Sequence, residues 1–314
     1  MTIKKSYKYI NLLARIVIGM LAVGFIYFRL KDDFFNHLPF IYSSGTSKLW
    51  WIILALLLMP LNWGIEALKW KYSIADIQAI GWKKALKHVF SGITIGLATP
   101  NRLGEIPARV YLLHNNEQLT PLIGRTFLAS FSQVLMTFIG GFIAVLMLKN
   151  HLLFGEHRII WLLLVFGGTT MLLLFYFAST IVLNQFKKIP WRFLQNYMGR
   201  FRTFSAQKKW NLFLLSGLRY IVFVIQYYVI LWSFQLPLNS LSEILLIPLF
   251  FMVSSVIPTL VISEIAVRGS VAIIIFSTVS SNDVVLVMAA VTLWIINVAL
   301  PAIVGIGGLK RFKI

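Results

Sequence analysis

Two short stretches of this chain carry a glutamate and an arginine four positions apart in apolar surroundings. The first reads EIPAR from Glu105 to Arg109, and the second reads EIAVR from Glu264 to Arg268. On a helix, residues i and i+4 share one face, so each glutamate can pair with its arginine. Arginine suits phosphate because its planar guanidinium group makes bidentate hydrogen bonds. The stretches therefore predict a site for a phosphate-bearing ligand, or, as the alternative, ion pairs that only hold local structure in place.

Each stretch follows a threonine and a proline, Thr99-Pro100 in the first case and Pro258-Thr259 in the second. The two glutamates are separated by about half of the 314-residue chain. A helix that begins inside the membrane would also offer free backbone N–H groups to an anion. The predicted substrate-binding residues are Arg102, Glu105, Arg109, Arg219, Glu264 and Arg268. The predicted motif and turn residues are Thr99, Pro100, Gly104, Pro258, Thr259 and Gly269.

Arg219 belongs to this group because it interrupts a long apolar run, SGLRYIVFVIQYY. Gln226 follows seven positions later, on the same face of the predicted helix. Arg219 either lines the cavity between the two stretches or snorkels towards the cytoplasmic interface. The sequence leaves both interpretations open.

The composition places these charges in a membrane protein. Hydrophobic residues make up 59% of the chain, charged residues only 12%, and the mean hydropathy is +0.82. A soluble domain cannot bury so much apolar surface, so we predict an all-α, multi-pass protein of the cytoplasmic (inner) membrane. The chain has no cysteine and no histidine pattern typical of a metal site, so neither a metal nor another cofactor is expected.

Six apolar runs are long enough to cross a bilayer as helices. Lysines and arginines concentrate before the first run, in residues 69–87, in residues 184–210 and at the C-terminus. The positive-inside rule puts these segments, and thus both termini, in the cytoplasm. The first run lacks a cleavage site and is expected to remain as a helix. The predicted spans are Leu12–Phe28, Leu49–Glu66, Pro121–Leu148, Ile159–Leu183, Asn211–Phe234 and Val284–Gly307.

Two further apolar segments do not fit a single crossing. His88–Pro100 is short, and Glu243–Ser281 is interrupted by a proline and by charged residues. The predicted topology requires each segment to leave the membrane on the side from which it entered, as a re-entrant helical hairpin. We therefore predict one transmembrane domain, residues 1–314, built from an inverted repeat with halves at about 1–150 and 151–314.

Residues 184–210 alternate basic and aromatic side chains. This composition is typical of an amphipathic helix on an anionic membrane surface, although an ordinary cytoplasmic loop is the alternative. The net charge of +19 lies largely in such loops, so we expect no nucleic-acid partner.

The pattern P-x-R-x-G-E followed by an arginine, made by Pro100, Arg102, Gly104, Glu105 and Arg109, resembles the lysylphosphatidylglycerol synthase transmembrane (flippase-like) family. The resemblance extends over nearly the whole chain. It implies a membrane domain that handles or translocates lipids.

The second half departs from the family pattern. Family members commonly carry a Gly-rich turn followed by Gly-Val-Arg-Glu, where this chain reads AVRG over residues 266–269. The arginine matches, and Gly269 replaces the glutamate. Glu264, one turn earlier, can compensate for it.

The resemblance implies a lipid flippase or transporter for a phospholipid, an aminoacyl-phospholipid or a polyprenyl-phosphate lipid. Larger family members append a soluble aminoacyltransferase domain, so this chain resembles a stand-alone member and is not expected to be an enzyme. No G-x-x-x-x-G-K-[ST] run indicates an ATP site.

Two alternatives stay open at this stage. A membrane-embedded transferase would need a metal-holding acidic pair, and the only adjacent acids are Asp32-Asp33 in a predicted external loop. A non-catalytic subunit would instead accompany a lipid-modifying enzyme. Association of the chain into a homo-oligomer also stays open.

Overall fold

A computed structural model describes residues 47–99, 102–113, 118–148, 157–186, 204–259 and 261–309, together with some residues between Val17 and Phe28. Within these residues the chain is helical and has no strand. The α-helices are α1 Ser47–Ile74, α2 Trp82–Leu97, α3 Glu105–Tyr111, α4 Leu119–Met147, α5 Arg158–Phe186, α6 Ala206–Ser233, α7 Leu241–Ile244, α8 Leu246–Val256, α9 Val261–Phe276, α10 Asp283–Trp294 and α11 Leu300–Ile306. A π-helical turn, Ile295–Ala299, joins α10 to α11.

Five helical stretches of the described chain are long and apolar enough to cross a membrane. They are Leu49–Ile74, Leu119–Met147, Ile159–Ala178, Ala206–Ser233 and Asp283–Ile306. Five of the six predicted spans are thus confirmed, with shifted ends. The remaining one, Leu12–Phe28, lies mostly outside the described residues.

The second predicted span ends too early. A hydropathy run stops at Glu66, but α1 continues to Ile74. Glu66 and Lys69 are both buried, so the protein interior rather than water surrounds their charges. The helix can continue through these charges because each has an oppositely charged partner, as described below.

The surface of the bundle is apolar where it would meet lipid. On α5, Leu163 is 66% exposed and Met171 is 74% exposed. Exposed leucine, isoleucine and phenylalanine side chains recur along the same helix. Contiguous apolar surface of this kind is unfavourable in water and expected in a bilayer.

Each predicted hairpin segment is a pair of helices separated by a short break. In the first, α2 and α3 flank a turn in which Arg102 has a φ of 55°. In the second, α8 ends at Val256 and α9 begins at Val261. The re-entrant path of these pairs, the cytoplasmic termini and the inverted repeat stay predictions.

The two segments have separate apolar cores. The first segment packs on α1 through Trp63, Trp70 and Val89, and the second packs on α6 and α10 through Tyr227 and Phe250. Since α1 and α6 lie along one another, the charged residues of the two segments face a common region between these cores.

The end of the chain packs against the first segment. In α2, the Thr94 hydroxyl donates to the Ala302 carbonyl at 2.7 Å, and the Ser91 hydroxyl donates to the Gly305 carbonyl at 3.2 Å. A Cβ atom at position 305 would lie 2.2 Å from the Phe90 carbonyl oxygen. Only glycine permits this approach of α11 to α2.

Candidate functional site

One carboxylate, that of Glu66 in α1, holds three cationic side chains. Arg109 Nη1 donates to Glu66 Oε1 at 2.7 Å, and Arg219 Nη1 donates to Oε2 at 2.9 Å. Lys69 Nζ also lies 2.9 Å from Oε2. All four residues are at most 8% exposed. Buried charges need partners of opposite sign, so Glu66 fixes the relative positions of α1, α3 and α6.

The first predicted Glu–Arg pair is present as an ion pair. Arg109 Nη2 donates to Glu105 Oε1, so the guanidinium group of Arg109 joins two carboxylates. Gly92 of α2 gives it room, because a Cβ atom there would lie 2.6 Å from Arg109 Cγ. Close packing between α2 and α3 therefore sets the position of Arg109.

The second predicted pair is present too, and it has a third member. Arg268 donates to Glu264 Oε1 through Nε at 3.1 Å and Nη2 at 2.9 Å. Arg102 Nη2 lies 3.1 Å from both oxygens of the same carboxylate. Glu264 thus joins the two predicted segments directly.

The two groups of charges are adjacent. A Cβ atom at Gly96 of α2 would lie 3.1 Å from Glu105 Cβ and 3.4 Å from Arg102 Cβ, so both side chains start beside the same glycine. We refer to the set as the charged cluster. Its members are Glu66, Lys69, Arg102, Glu105, Arg109, Arg219, Glu264 and Arg268.

The charged cluster contains five cationic and three anionic side chains, an excess of two positive charges. Several nitrogen atoms of the cluster also donate fewer hydrogen bonds than they could. Among the described residues, Arg102 Nε and Arg109 Nε have no hydrogen-bond partner although they are buried, and Lys69 Nζ contacts Glu66 without hydrogen-bond geometry. Unpaired buried donors and uncompensated charge are both unfavourable. A bound anion would correct both.

A chain of side-chain amides extends from Arg219. Arg219 Nε donates to Asn62 Oδ1 at 2.8 Å, and Asn62 Nδ2 donates to Asn297 Oδ1 at 3.0 Å. Asn297 Nδ2 donates to Gln226 Oε1 at 2.9 Å, and Gln226 Nε2 donates to the Ala55 carbonyl at 2.8 Å. These buried amides lock α1, α6 and the π-helical turn together beside the charged cluster.

Arg219 is therefore an interior residue. It is 8% exposed, and its guanidinium carbon lies 4.8 Å from the centre of the Trp63 ring. The contacts with Glu66 and Asn62 exclude the snorkelling interpretation. The structure therefore places Arg219 beside the other predicted substrate-binding residues, and its part in binding stays a prediction.

The predicted turn residues have different positions. Thr99 Oγ1 donates to the Gly96 carbonyl at 2.9 Å and accepts from the Gly104 amide at 2.8 Å, which closes the turn around Arg102. Pro258 and Thr259 form the non-helical break before α9. Pro100 lies outside the described residues.

Gly269 is a packing residue. A Cβ atom there would lie 2.9 Å from Ile26 Cδ1 and 3.3 Å from Val287 Cγ1. The chain thus has apolar neighbours at position 269, and Glu264 is the carboxylate that pairs with Arg268.

Sequence reasoning missed the centre of the cluster. Glu66 and Lys69 look like residues at the end of a span, whereas the structure makes Glu66 the residue on which three cations converge. A signal was available, because Asn62, Glu66, Lys69 and Ser73 recur at helical spacing and form one polar stripe along α1. All four are buried.

Two basic residues in the described part of residues 184–210, Lys208 and Lys209, are buried against the protein. Lys208 Nζ donates to Asp76 Oδ1 at 2.8 Å, and Lys209 Nζ donates to the Phe177 carbonyl at 2.9 Å. Arg125 Nη1 donates to Asp76 Oδ2 at 2.6 Å. The hydrogen bonds from Lys208 and Arg125 lower the pKa of Asp76. Residues 187–203 lie outside the described residues, so membrane contact by this segment stays a prediction.

Long apolar helices with a lipid-compatible surface define a multi-pass integral membrane protein. Within that class, the sequence model described as the lysylphosphatidylglycerol synthase TM region matches residues 12–305, so this chain belongs to that family. The resemblance of the PNRLGE stretch is thereby confirmed. Among curated proteins, none matches the chain.

Proposed function

We propose that this protein binds the phosphate group of a membrane lipid at the charged cluster and carries the lipid between the two leaflets, as a flippase or lipid transporter. The lipid class is a phospholipid, an aminoacyl-phospholipid or a polyprenyl-phosphate lipid. Membership of a lipid-associated membrane family supports a function of this kind. The observation that carries the proposal is the excess of two positive charges in the charged cluster, whose four arginines and one lysine are buried or partly buried.

The more accessible half of the cluster is the natural place for the headgroup. The side chains of Arg102 and Arg268 are 23% and 26% exposed, whereas that of Arg109 is 3% exposed. A phosphate can therefore reach Arg102 and Arg268 first. Its oxygens would take the place of the Glu264 carboxylate as acceptors, because both arginines have forked donors that match phosphate geometry.

The deeper half would act as a fixed counter-charge. Arg109, Arg219 and Lys69 share one carboxylate, so their positive charge is only partly compensated at Glu66. A low-dielectric surrounding strengthens the attraction of that charge for an anion. The acyl or polyprenyl chains would stay in the bilayer against the exposed apolar helices.

In this proposal the protein lies in the cytoplasmic (inner) membrane with both termini inside, and the two helix pairs are re-entrant hairpins from opposite sides. The protein performs no covalent step. Its action is binding at the cluster followed by exposure of the headgroup to the other leaflet.

The test is lipid exchange in vesicles that contain the purified protein. Fluorescent phosphatidylglycerol, lysyl-phosphatidylglycerol and a polyprenyl-phosphate analogue are compared with a fluorescent glycolipid that has no phosphate. We expect exchange of at least one phosphate-bearing lipid above that of empty vesicles, and no acceleration for the glycolipid. Equal rates in empty and protein-containing vesicles for all phosphate lipids would overturn the proposal.

A matched pair of variants separates the site from general stability. Arg268→Gln removes a cation from the accessible half of the cluster, and Arg125→Gln removes a buried arginine that pairs with Asp76 elsewhere. We expect Arg268→Gln to lose exchange and Arg125→Gln to keep it per folded molecule. If both variants exchange lipid like the unmodified protein, Arg268 has no part in headgroup binding.

A further inference from the structure

A second concentration of positive charge lies apart from the charged cluster. A cavity of about 380 Å³ is bounded by the beginning of α2, the residue after α3 and the residues after α11. Among the described residues, no carboxylate lines it. We refer to it as the lysine pocket, and its lining residues are Lys83, Lys84, Lys87, His88, Leu112 and Gly308.

The lysines of this pocket differ from the interior lysines in their lack of acidic partners among the described residues. Within the described ranges, none of Lys83, Lys84 and Lys87 forms an ion pair, and all three are exposed. The first turn of α2 holds no acidic residue. This contrasts with the lysines of the bundle interior, since Lys69 contacts Glu66 and Lys208 contacts Asp76.

The arrangement is locally unfavourable for the helix. Lys83 and Lys87 are four positions apart on one face of α2, where like charges repel. They also lie in the first two turns of the helix, where the backbone dipole disfavours cations. A bound anion would remove both penalties. Lysines spread over a solvated loop would not experience both of them.

The pocket and the charged cluster lie at different heights along α2. His88 precedes Gly92 by one turn of α2, and Gly92 touches Arg109. A rise of about 1.5 Å per residue places His88 about 6 Å and Lys84 about 12 Å from Gly92 along the axis. Leu112, which lines the pocket, lies one turn beyond Arg109. The pocket is thus one to two turns from the cluster.

We propose that the lysine pocket is a separate binding site for a phosphate or diphosphate group. It lies on the side of the membrane that carries residues 69–87, which the positive-inside rule predicts to be cytoplasmic. Lysine binds phosphate as a flexible point charge, so three lysines around a small cavity suit an oxyanion without fixing its orientation. The phosphate belongs either to a lipid headgroup or to a free phosphate compound. The site does not depend on lipid transport by the charged cluster.

The first experiment uses the full-length protein in detergent and measures binding of inorganic phosphate and pyrophosphate by calorimetry. The variant is Lys83→Gln with Lys84→Gln and Lys87→Gln. The control is Lys4→Gln with Lys5→Gln and Lys8→Gln, which removes the same formal charge. We expect saturable binding of pyrophosphate that weakens about tenfold or more in the variant, equivalent to about 1.4 kcal/mol, and stays unchanged in the control.

The second experiment places the same three proteins in nanodiscs of phosphatidylcholine with and without phosphatidylglycerol. If phosphatidylglycerol in the nanodisc does not weaken pyrophosphate binding, the pocket binds free phosphate compounds. If phosphatidylglycerol competes with pyrophosphate in the control protein but not in the lysine variant, the pocket binds a lipid headgroup. The proposal is overturned if the variant and the control behave alike in both experiments.

Two further measurements separate loss of binding at the lysine pocket from unfolding and from binding at the charged cluster. Because the substitutions relieve repulsion between exposed lysines, the variant should melt at the same or a higher temperature than the unmodified protein, so lost binding cannot be attributed to unfolding. Arg268→Gln is measured alongside. If that variant abolishes pyrophosphate binding while the lysine variant keeps it, the anion binds at the charged cluster and the lysine pocket is not a site.

Discussion

Arg102 and Glu264 are 162 positions apart, and Arg102 Nη2 lies 3.1 Å from both carboxylate oxygens of Glu264. Arg102 lies in the turn just before the first E-I-x-x-R stretch, and Glu264 begins the second. Their contact turns two local ion pairs into one charged cluster shared by both segments. A ligand that binds either residue therefore acts on both segments.

This contact predicts a cross-link. The chain has no cysteine, so Arg102→Cys combined with Glu264→Cys introduces the only two thiols. We expect a short bifunctional thiol reagent to join them within one molecule, which is detected after protease cleavage between the two positions. Arg102→Cys with Met171→Cys is the control, because Met171 is 74% exposed on the apolar surface of α5. Equal cross-linking of both pairs would contradict the contact.

The two arginines of the E-I-x-x-R stretches should respond differently to truncation. Arg109→Ala takes one of three cations from the buried Glu66 carboxylate and the ion-pair partner from the partly exposed Glu105, a loss of up to about 3–5 kcal/mol, so we expect poor expression and a lower melting temperature. Arg268→Ala opens a partly exposed pair and should reduce stability by about 1 kcal/mol or less. Lipid exchange per folded molecule and melting temperature are measured for both. Equal loss of stability would show that the Glu264 pair is also structural.

Gly92 should be essential because of the space that Arg109 occupies. A Cβ atom at this position would lie 2.6 Å from Arg109 Cγ and 3.0 Å from the Glu105 carbonyl oxygen. Gly92→Ala therefore displaces Arg109 and should destabilise the protein by about 1–3 kcal/mol. Gly64→Ala in α1 is the control, since its nearest neighbour is 3.8 Å away and alanine favours the helix. The comparison uses melting temperature and lipid exchange, and a Gly92→Ala protein as stable as the control would refute the close approach.

Asp76 should give the protein an acid-sensitive contact outside the membrane spans. Hydrogen bonds from Lys208 and Arg125 lower its pKa in the folded state, so its contribution to stability is complete above its unfolded pKa of about 3.9. That contribution is lost as the pH falls through the folded pKa. The difference in melting temperature between unmodified protein and Asp76→Asn should be constant from about pH 8 to pH 5 and shrink below about pH 4. A difference that does not change at low pH would contradict this pairing.

Local patterns predicted the features that depend on neighbours in the chain. Apolar runs identified five membrane-crossing helices because a bilayer demands about 20 apolar residues from each. The pairs Glu105–Arg109 and Glu264–Arg268 followed from helical spacing alone. The PNRLGE motif led to the correct family.

The same reasoning misplaced charges whose partners are distant in sequence. Glu66 and Lys69 suggest an interface when only their own span is considered, because an unpaired charge belongs near water. In the folded protein Glu66 meets Arg109 and Arg219, which are 43 and 153 positions away. Those contacts allow α1 to continue to Ile74.

Local sequence patterns were enough to predict the membrane class, the family, most of the spans and the two glutamate–arginine pairs, because each is encoded within a few turns of helix. Which charges share a site depends instead on the packing of the helices. Hydrophobic packing of α2 and α3 on α1, and of α8 and α9 on α6 and α10, brings Arg102 to Glu264 and makes Glu66 the centre of three cations. The positions of these residues in the sequence do not reveal the distances between them, because those distances depend on how whole helices pack.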